Sequence, residues 1–168
     1  NCYQYKKWQQ INKDFEELEK VEFVPFYEAI KNGVDGIMAA HIVYSKINDI
    51  YPATLSKKVI TGILKEKMGF KGLIVTDSLT MGAINNNYTK GEIVELACNA
   101  GIDMLIFCGK ADINDQREIY NEFLARAKDG RISIDRVNES VQKILEYKNK
   151  YQITNLPKEI SSKECFDE

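Results

Sequence analysis

The sequence has only one histidine, one tryptophan, three prolines and four cysteines among 168 residues. Each scarcity removes a class of function. The cysteines (Cys2, Cys98, Cys108, Cys165) are spread too widely for a zinc site, which wants close C-x₂₋₄-C pairs, and too thinly for a disulfide scaffold. Cys98 falls in a helical pattern and Cys108 at the end of a strand pattern, so both read as small buried side chains. No apolar run approaches the ~18 residues of a membrane-spanning helix. With 23 basic against 25 acidic side chains, and no basic run denser than Lys57-Lys58, general nucleic-acid binding is excluded. There is no G-x-S-x-G, no G-x-G-x-x-G and no G-x-x-x-x-G-K, which removes a serine-hydrolase elbow and a nucleotide phosphate loop. Asn1 to Trp8 has no apolar leader core, and a first residue that is not Met suggests a cleaved product or a piece of something longer. Localisation stays open between cytoplasm and a secreted or cell-surface setting of bacterial type.

What is present is a globular composition, 44% hydrophobic and 29% charged. Asp14 and Glu17 have capping-box spacing and open a helical pattern through Leu18, Val21, Val24, Tyr27 and Ile30. Pro25 should kink that helix or split it near Val24, and Gly33 stops it. Val34–Ala40 reads as a strand with His41 at its carboxyl end. Ser56 caps a helix carrying Val59, Ile60, Ile63, Leu64 and Met68, which Gly69 closes. A second strand, Gly72–Thr76, runs into Asp77. Thr89 and Glu92 form another capping box, before Ile93, Val94, Ala97 and Cys98 and the stop at Gly101. Ile102–Cys108 reads as a third strand. A helix around Ile119, Tyr120, Phe123 and Leu124 follows, and Ser133 caps a last one bearing Ile134, Val137, Val141, Ile144 and Leu145.

The expected order is α-β-α-β-α-β-α-α, a parallel sheet covered on both faces. No Gly/Ser-rich linker divides it, so the reading is a lead-in (1–13), one unit (14–151) and a polar tail (152–168). Three strands make a very narrow sheet with two open edges. Self-association or instability of the isolated chain is the expectation, which sedimentation would test.

In parallel α/β architectures functional groups gather at the carboxyl ends of the strands. His41 and Asp77 occupy such ends, while the third strand ends on Cys108 without an acid or base. Asp77 follows four apolar or β-branched residues. A carboxylate there suits a nucleophile or a metal ligand, and equally suits a simple cap on the turn. A lone strand-end histidine suits a hydrogen-bonded wall position.

The stretch Gly69-Phe70-Lys71-Gly72-Leu73-Ile74-Val75-Thr76-Asp77-Ser78-Leu79-Thr80-Met81-Gly82-Ala83-Ile84 resembles the nucleophile signature of family 3 glycoside hydrolases, in their β-N-acetylglucosaminidase branch. Four further stretches agree in the same order: Ala39-Ala40-His41-Ile42-Val43-Tyr44 and Tyr51-Pro52-Ala53-Thr54-Leu55-Ser56 before it, and Ala100–Leu105 and Gly130–Val137 after it. Together they cover roughly Asn12 to Tyr151.

The resemblance implies a (β/α)₈ barrel of the TIM type, of which this chain supplies the C-terminal portion, about three βα units corresponding to strands 6–8. It implies hydrolysis with retention at a β-linked N-acetylhexosamine, in a muropeptide or chito-oligosaccharide, with the lean toward cell-wall muropeptides. Asp77 matches the nucleophile, Met81 a methionine beside the bound sugar, and His41 a pocket-wall residue. No cofactor and no metal is expected. The branch's acid/base, a histidine paired with an aspartate on an earlier loop, has no counterpart, because His41 is the only histidine. The N-terminal half of the barrel is therefore the expected partner. Whether hydrolysis or phosphorolysis finishes the reaction depends on that loop. Two other readings stand beside this one. One is a non-catalytic remnant kept as an interaction piece. The other is a phospho-accepting receiver domain, for which Asp35 and Lys110 are poorly positioned.

Overall fold

The computed structural model describes residues 9–108 and 112–153; Cys2, Cys165, Lys110 and the tail beyond Ile153 lie outside them. The order is β1 (Gln9–Ile11), α1 (Phe15–Lys20), α2 (Val24–Lys31), β2 (Gly36–Ala39), β3 (Ile42–Tyr44), a 3₁₀ turn (Ala53–Leu55), a π-wound helix (Lys58–Lys67), β4 (Leu73–Thr76), α3 (Gly82–Asn85), α4 (Lys90–Ala100), α5 (Ile113–Lys128) and α6 (Ile134–Lys150).

Local chemistry explains most boundaries. Asp14 Oδ1 accepts from the Glu17 amide at 2.9 Å, and the Glu17 carboxylate accepts from the Asp14 amide at 2.8 Å. Thr89 and Glu92 repeat the arrangement at α4. Both satisfy amides that the first helical turn leaves unpaired. The helical pattern is split near Val24, as Pro25 requires, rather than kinked: α1 ends at Lys20, and Pro25 occupies the first turn of α2, where its missing N–H costs nothing. Gly101 ends α4 at φ +108, a left-handed conformation. A Cβ there would also lie 2.9 Å from Thr61 Oγ1, whose hydroxyl donates to the Ala100 carbonyl at 2.8 Å. Gly101→Ala should therefore cost about 1–2 kcal/mol. Urea denaturation checks this, and an unchanged midpoint would contradict it.

The strands pair in parallel, β2 with β4 (Gly36↔Leu73 to Ala39↔Thr76) and β1 with β3 (Gln9↔Ile42 to Ile11↔Tyr44). Three expectations are corrected here. The lead-in joins the fold from Gln9 onward, because β1 donates its edge to β3. Both β1 and β3 are three residues long, too short for any period to show. The expected strand Ile102–Cys108 reduces to one bridge, Met104 to Val75. Beyond Met104 the backbone ladder is interrupted: the Ile106 amide donates to the Thr76 side-chain hydroxyl at 2.9 Å instead of to a carbonyl.

The third correction concerns the sheet faces. Ile37, Ala39, Ile74 and Thr76 are buried, and Ile37, Ala39 and Ile74 share a core with Leu18, Ile60, Leu64, Leu79, Ile84 and Ile93. The opposite face carries Met38, Val75 and Met104, aligned across neighbouring segments by the β2–β4 register and the Met104 bridge. Met38 is 57% exposed and Met104 41%. Among the described residues the sheet is thus covered on one face only. On α6, Val137 and Ile144 turn inward while Ile134, Val141 and Leu145 stay exposed, so that helix also has an apolar stripe without cover among the described residues.

Candidate active site

Asp77 follows the last residue of β4, and its amide donates to the Ala39 carbonyl at the end of β2 (3.1 Å). The strand pair therefore sets its position before any side-chain contact is made. Its carboxylate is half-buried, and Oδ1 accepts from the Ser78 amide at 2.6 Å. One oxygen is pinned to the turn, which limits the rotation of the group.

The next residues fold into a tight turn. Met81 N–H donates to the Ser78 carbonyl at 3.1 Å, and the Met81 carbonyl then accepts from the Ile84 and Asn85 amides as α3 begins. Met81 is half-buried four positions beyond Asp77. Ser78 Oγ donates to the Cys108 carbonyl at 3.2 Å, and Thr80 Oγ1 bonds to the same oxygen. The end of the 102–108 segment is thereby tied to the Asp77 turn.

His41 is buried, 7% exposed, and both ring nitrogens have protein partners. Nε2 donates to the Ser78 carbonyl at 3.0 Å, and Nδ1 lies 2.8 Å from Thr54 Oγ1. Asp77 and His41, read separately from the sequence as strand-end residues, thus meet at one turn. Thr54, Ser78 and Thr80 escaped the sequence reading. Thr54 does stand in the quoted Tyr51–Ser56 stretch, but no period or position marks it as a partner of histidine.

Burial lowers the His41 pKa below its usual 6.5, against the opposing pull of the Ser78 carbonyl and the Asp77 charge. The unfolded chain binds this proton below pH 6.5 while the folded chain does not. This contribution to stability is therefore full above pH 6.5 and declines as the pH falls below it. Urea midpoints at pH 7.5 and 5.5 should separate for the wild type, and His41→Gln should remove that part of the separation. Equal pH slopes in the two proteins would refute the assignment.

The remaining candidates resolve simply. Cys98 is buried, with its thiol pushed up to about 11 by desolvation, and is inert at neutral pH. Cys108 is exposed rather than buried, because the 102–108 segment leaves the sheet before reaching it. Asp35 sits before β2, at the strand end opposite Asp77, and pairs with Lys150 at 2.6 Å. It cannot join Asp77 in holding a cation. Among the described residues no cluster of three or more His, Cys, Asp or Glu could hold a metal, and no helix is long and apolar enough to cross a membrane.

The family model for the glycosyl hydrolase family 3 N-terminal domain matches residues 3–147. An uncharacterized secreted glycosyl hydrolase of Arthroderma benhamiae is 35% identical over 134 residues, covering 80% of this chain and 38% of that protein. A beta-hexosaminidase of Tolumonas auensis is 41% identical over 100 residues, covering 58% of this chain and 29% of that one. Among solved structures, a family 3 beta-N-acetylglucosaminidase from a Paenibacillus species superposes with TM-score 0.82 at 34% identity, over 89% of this chain and 28% of that one. The beta-N-acetylglucosaminidase of Thermotoga maritima gives 0.76 at 34% identity, over 82% and 30%. The chain therefore spans about a third of the length of the curated relatives it matches.

Proposed function

Because the chain belongs to glycosyl hydrolase family 3, we propose that it is the nucleophile-bearing, C-terminal portion of a TIM-type barrel whose whole acts as a retaining β-N-acetylhexosaminidase. The observation that carries the reading is Asp77: a half-buried carboxylate at the carboxyl end of a parallel strand, with one oxygen held by the Ser78 amide. The names of the relatives support the sugar, a terminal β-linked N-acetylhexosamine; a muropeptide or chito-oligosaccharide as its carrier is part of the same proposal. The open sheet face with Met38 and Met104, and the open stripe of α6, support the portion, since a closed barrel of about 250 residues buries its inner face.

In this reading Asp77 attacks the anomeric carbon as the bond to the leaving oxygen breaks. A glycosyl-enzyme ester forms, and water then hydrolyses it with return of the carboxylate. The oxygen not held by Ser78 N–H is the one free to attack. Met81 borders the sugar from the same turn, and His41 forms wall rather than proton donor, since both its ring nitrogens are engaged. With no other histidine in the chain, the His-Asp acid/base comes from the N-terminal half of the barrel, which is the partner this reading requires.

The test is to produce the chain alone and together with separately made upstream βα units, and to assay an aryl N-acetyl-β-glucosaminide. No turnover alone and turnover on mixing is the expected result. Turnover by the chain alone that Asp77→Asn abolishes would overturn the division of catalytic groups. A folded, assembled barrel without sugar binding would instead mark a non-catalytic remnant.

A further inference from the structure

His41 is placed where a sugar contact would be expected, yet it spends both ring nitrogens on the protein. Its Nε2 faces a carbonyl oxygen and can only donate. In a neutral ring Nδ1 is then an acceptor, served by the Thr54 hydroxyl at 2.8 Å. The Ser78 carbonyl that receives the Nε2 proton also receives the Met81 amide, so it is the joint of the turn between the two residues expected at the sugar. Thr54 itself is fully buried, with Oγ1 2.9 Å from the Ala40 carbonyl and 3.3 Å from the Ala39 carbonyl; its single hydroxyl proton, given to Nδ1 in the neutral ring, is not shared with either of them. The Ala39 carbonyl in turn receives the Asp77 amide. Asp77 is thus held on both sides of its own residue: through its amide by Ala39, and through the following carbonyl by His41. Thr54 Oγ1 lies beside both holds and bonds directly to the His41 ring.

We propose that His41 is a positioning residue, whose Nε2–H bond to the Ser78 carbonyl sets the orientation of the Asp77 carboxylate, with Thr54 fixing the ring. The proposal rests on the reading of Asp77 as nucleophile. It deepens that reading, because it assigns His41 to the protein side of the site and takes it out of sugar recognition. Burial of the ring, which disfavours its charged form, agrees with the neutral tautomer this requires. Thr54 thereby acquires a role that no catalytic requirement would suggest.

Because His41 is the only histidine, nitrogen-15 NMR of the unassigned chain shows a single imidazole. The expected pattern is a proton on Nε2 with Nδ1 bare; the opposite tautomer would overturn the proposal. Amide exchange of the 168-residue chain gives the second readout. His41→Phe keeps the ring volume and loses both bonds, and should speed exchange at Ser78 and Met81 about tenfold while Ile74 and Ile93 stay protected. His41→Gln, whose amide nitrogen can reach the Nε2 position, should restore the wild-type rate. Unchanged exchange in His41→Phe, or no rescue by His41→Gln, would overturn it. In the assembled barrel the same pair should separate in kcat by about 10²-fold with KM within a factor of two, as for a displaced reacting group rather than a lost sugar contact. A change in KM alone would return His41 to the sugar. Asp77→Asn run alongside keeps the two claims apart: wild-type turnover there defeats the nucleophile reading, whereas failure of the His41 variants alone defeats only the positioning role.

Discussion

Asp77→Asn in the assembled barrel should lower kcat by about 10³-fold or more and leave the urea midpoint of the chain nearly unchanged. The substitution is close to isosteric. An amide oxygen can still accept from the Ser78 amide at the 2.6 Å position, and the Asp77 backbone bond to Ala39 is untouched. What disappears is the negative charge and the lone pair able to form an ester. Covalent trapping makes the result specific. A 2-fluoro sugar with a good leaving group should add to the wild type, with mass spectrometry locating the adduct on Asp77, and should add nothing to the variant. Wild-type turnover by Asp77→Asn, or an adduct on another residue, would remove Asp77 from the role.

The second large effect lies at the other end of the strands. Asp103→Ala should destabilise the chain by about 3 kcal/mol, lowering Tm by roughly 6–12 °C. The Asp103 side chain is wholly buried and accepts from four donors: the Ile74 amide at 3.0 Å, Arg136 Nη2 at 2.9 Å, Ser140 Oγ at 2.8 Å and Lys143 Nζ at 2.9 Å. It joins β4 to α6. Burial pushes its carboxyl pKa up, but Lys143, the Ile74 amide, Ser140 and Arg136 together outweigh that and hold it below 3.8. Removal leaves two cations facing a cavity. Because Arg136 and Lys143 keep some solvent contact (14% and 16% exposed), the lower end of the range for a broken buried pair applies. The sign with pH follows. A carboxylate held below its unfolded value stabilises above pH 3.8, and that contribution is lost as the pH falls through its folded pKa. The gap between wild type and Asp103→Asn in urea should therefore narrow in strong acid. A constant gap at all pH values would show that packing, not charge, carries Asp103.

Much of this was legible in the residues themselves. Capping pairs at Asp14/Glu17 and Thr89/Glu92 state where helices begin, because amides without intrahelical partners recruit those side chains at that spacing. Gly101 states where one ends, because few other residues tolerate φ +108. Asp77 is visible as a carboxylate stranded after an apolar run, and the resemblance to family 3 implies a nucleophile's chemistry for it.

The longer helices, the strands β2 and β4, the family and the position of Asp77 at a strand end were legible in the sequence alone, since local propensity and spacing are written into neighbouring residues, whereas β1, β3 and the loss of the 102–108 strand were not. Partners distant in the chain were decided only by the tertiary structure. Thr54 meets His41 thirteen residues away and Ser78 meets it thirty-seven away, a pairing that no period encodes. The Thr76 hydroxyl ends a strand that its apolar run promised to continue, because the competition between a side-chain acceptor and a carbonyl is settled by geometry. The open face is of the same kind. Met38 and Met104 read as core by composition, and only the register and the helices packed on one side show that nothing among the described residues covers them.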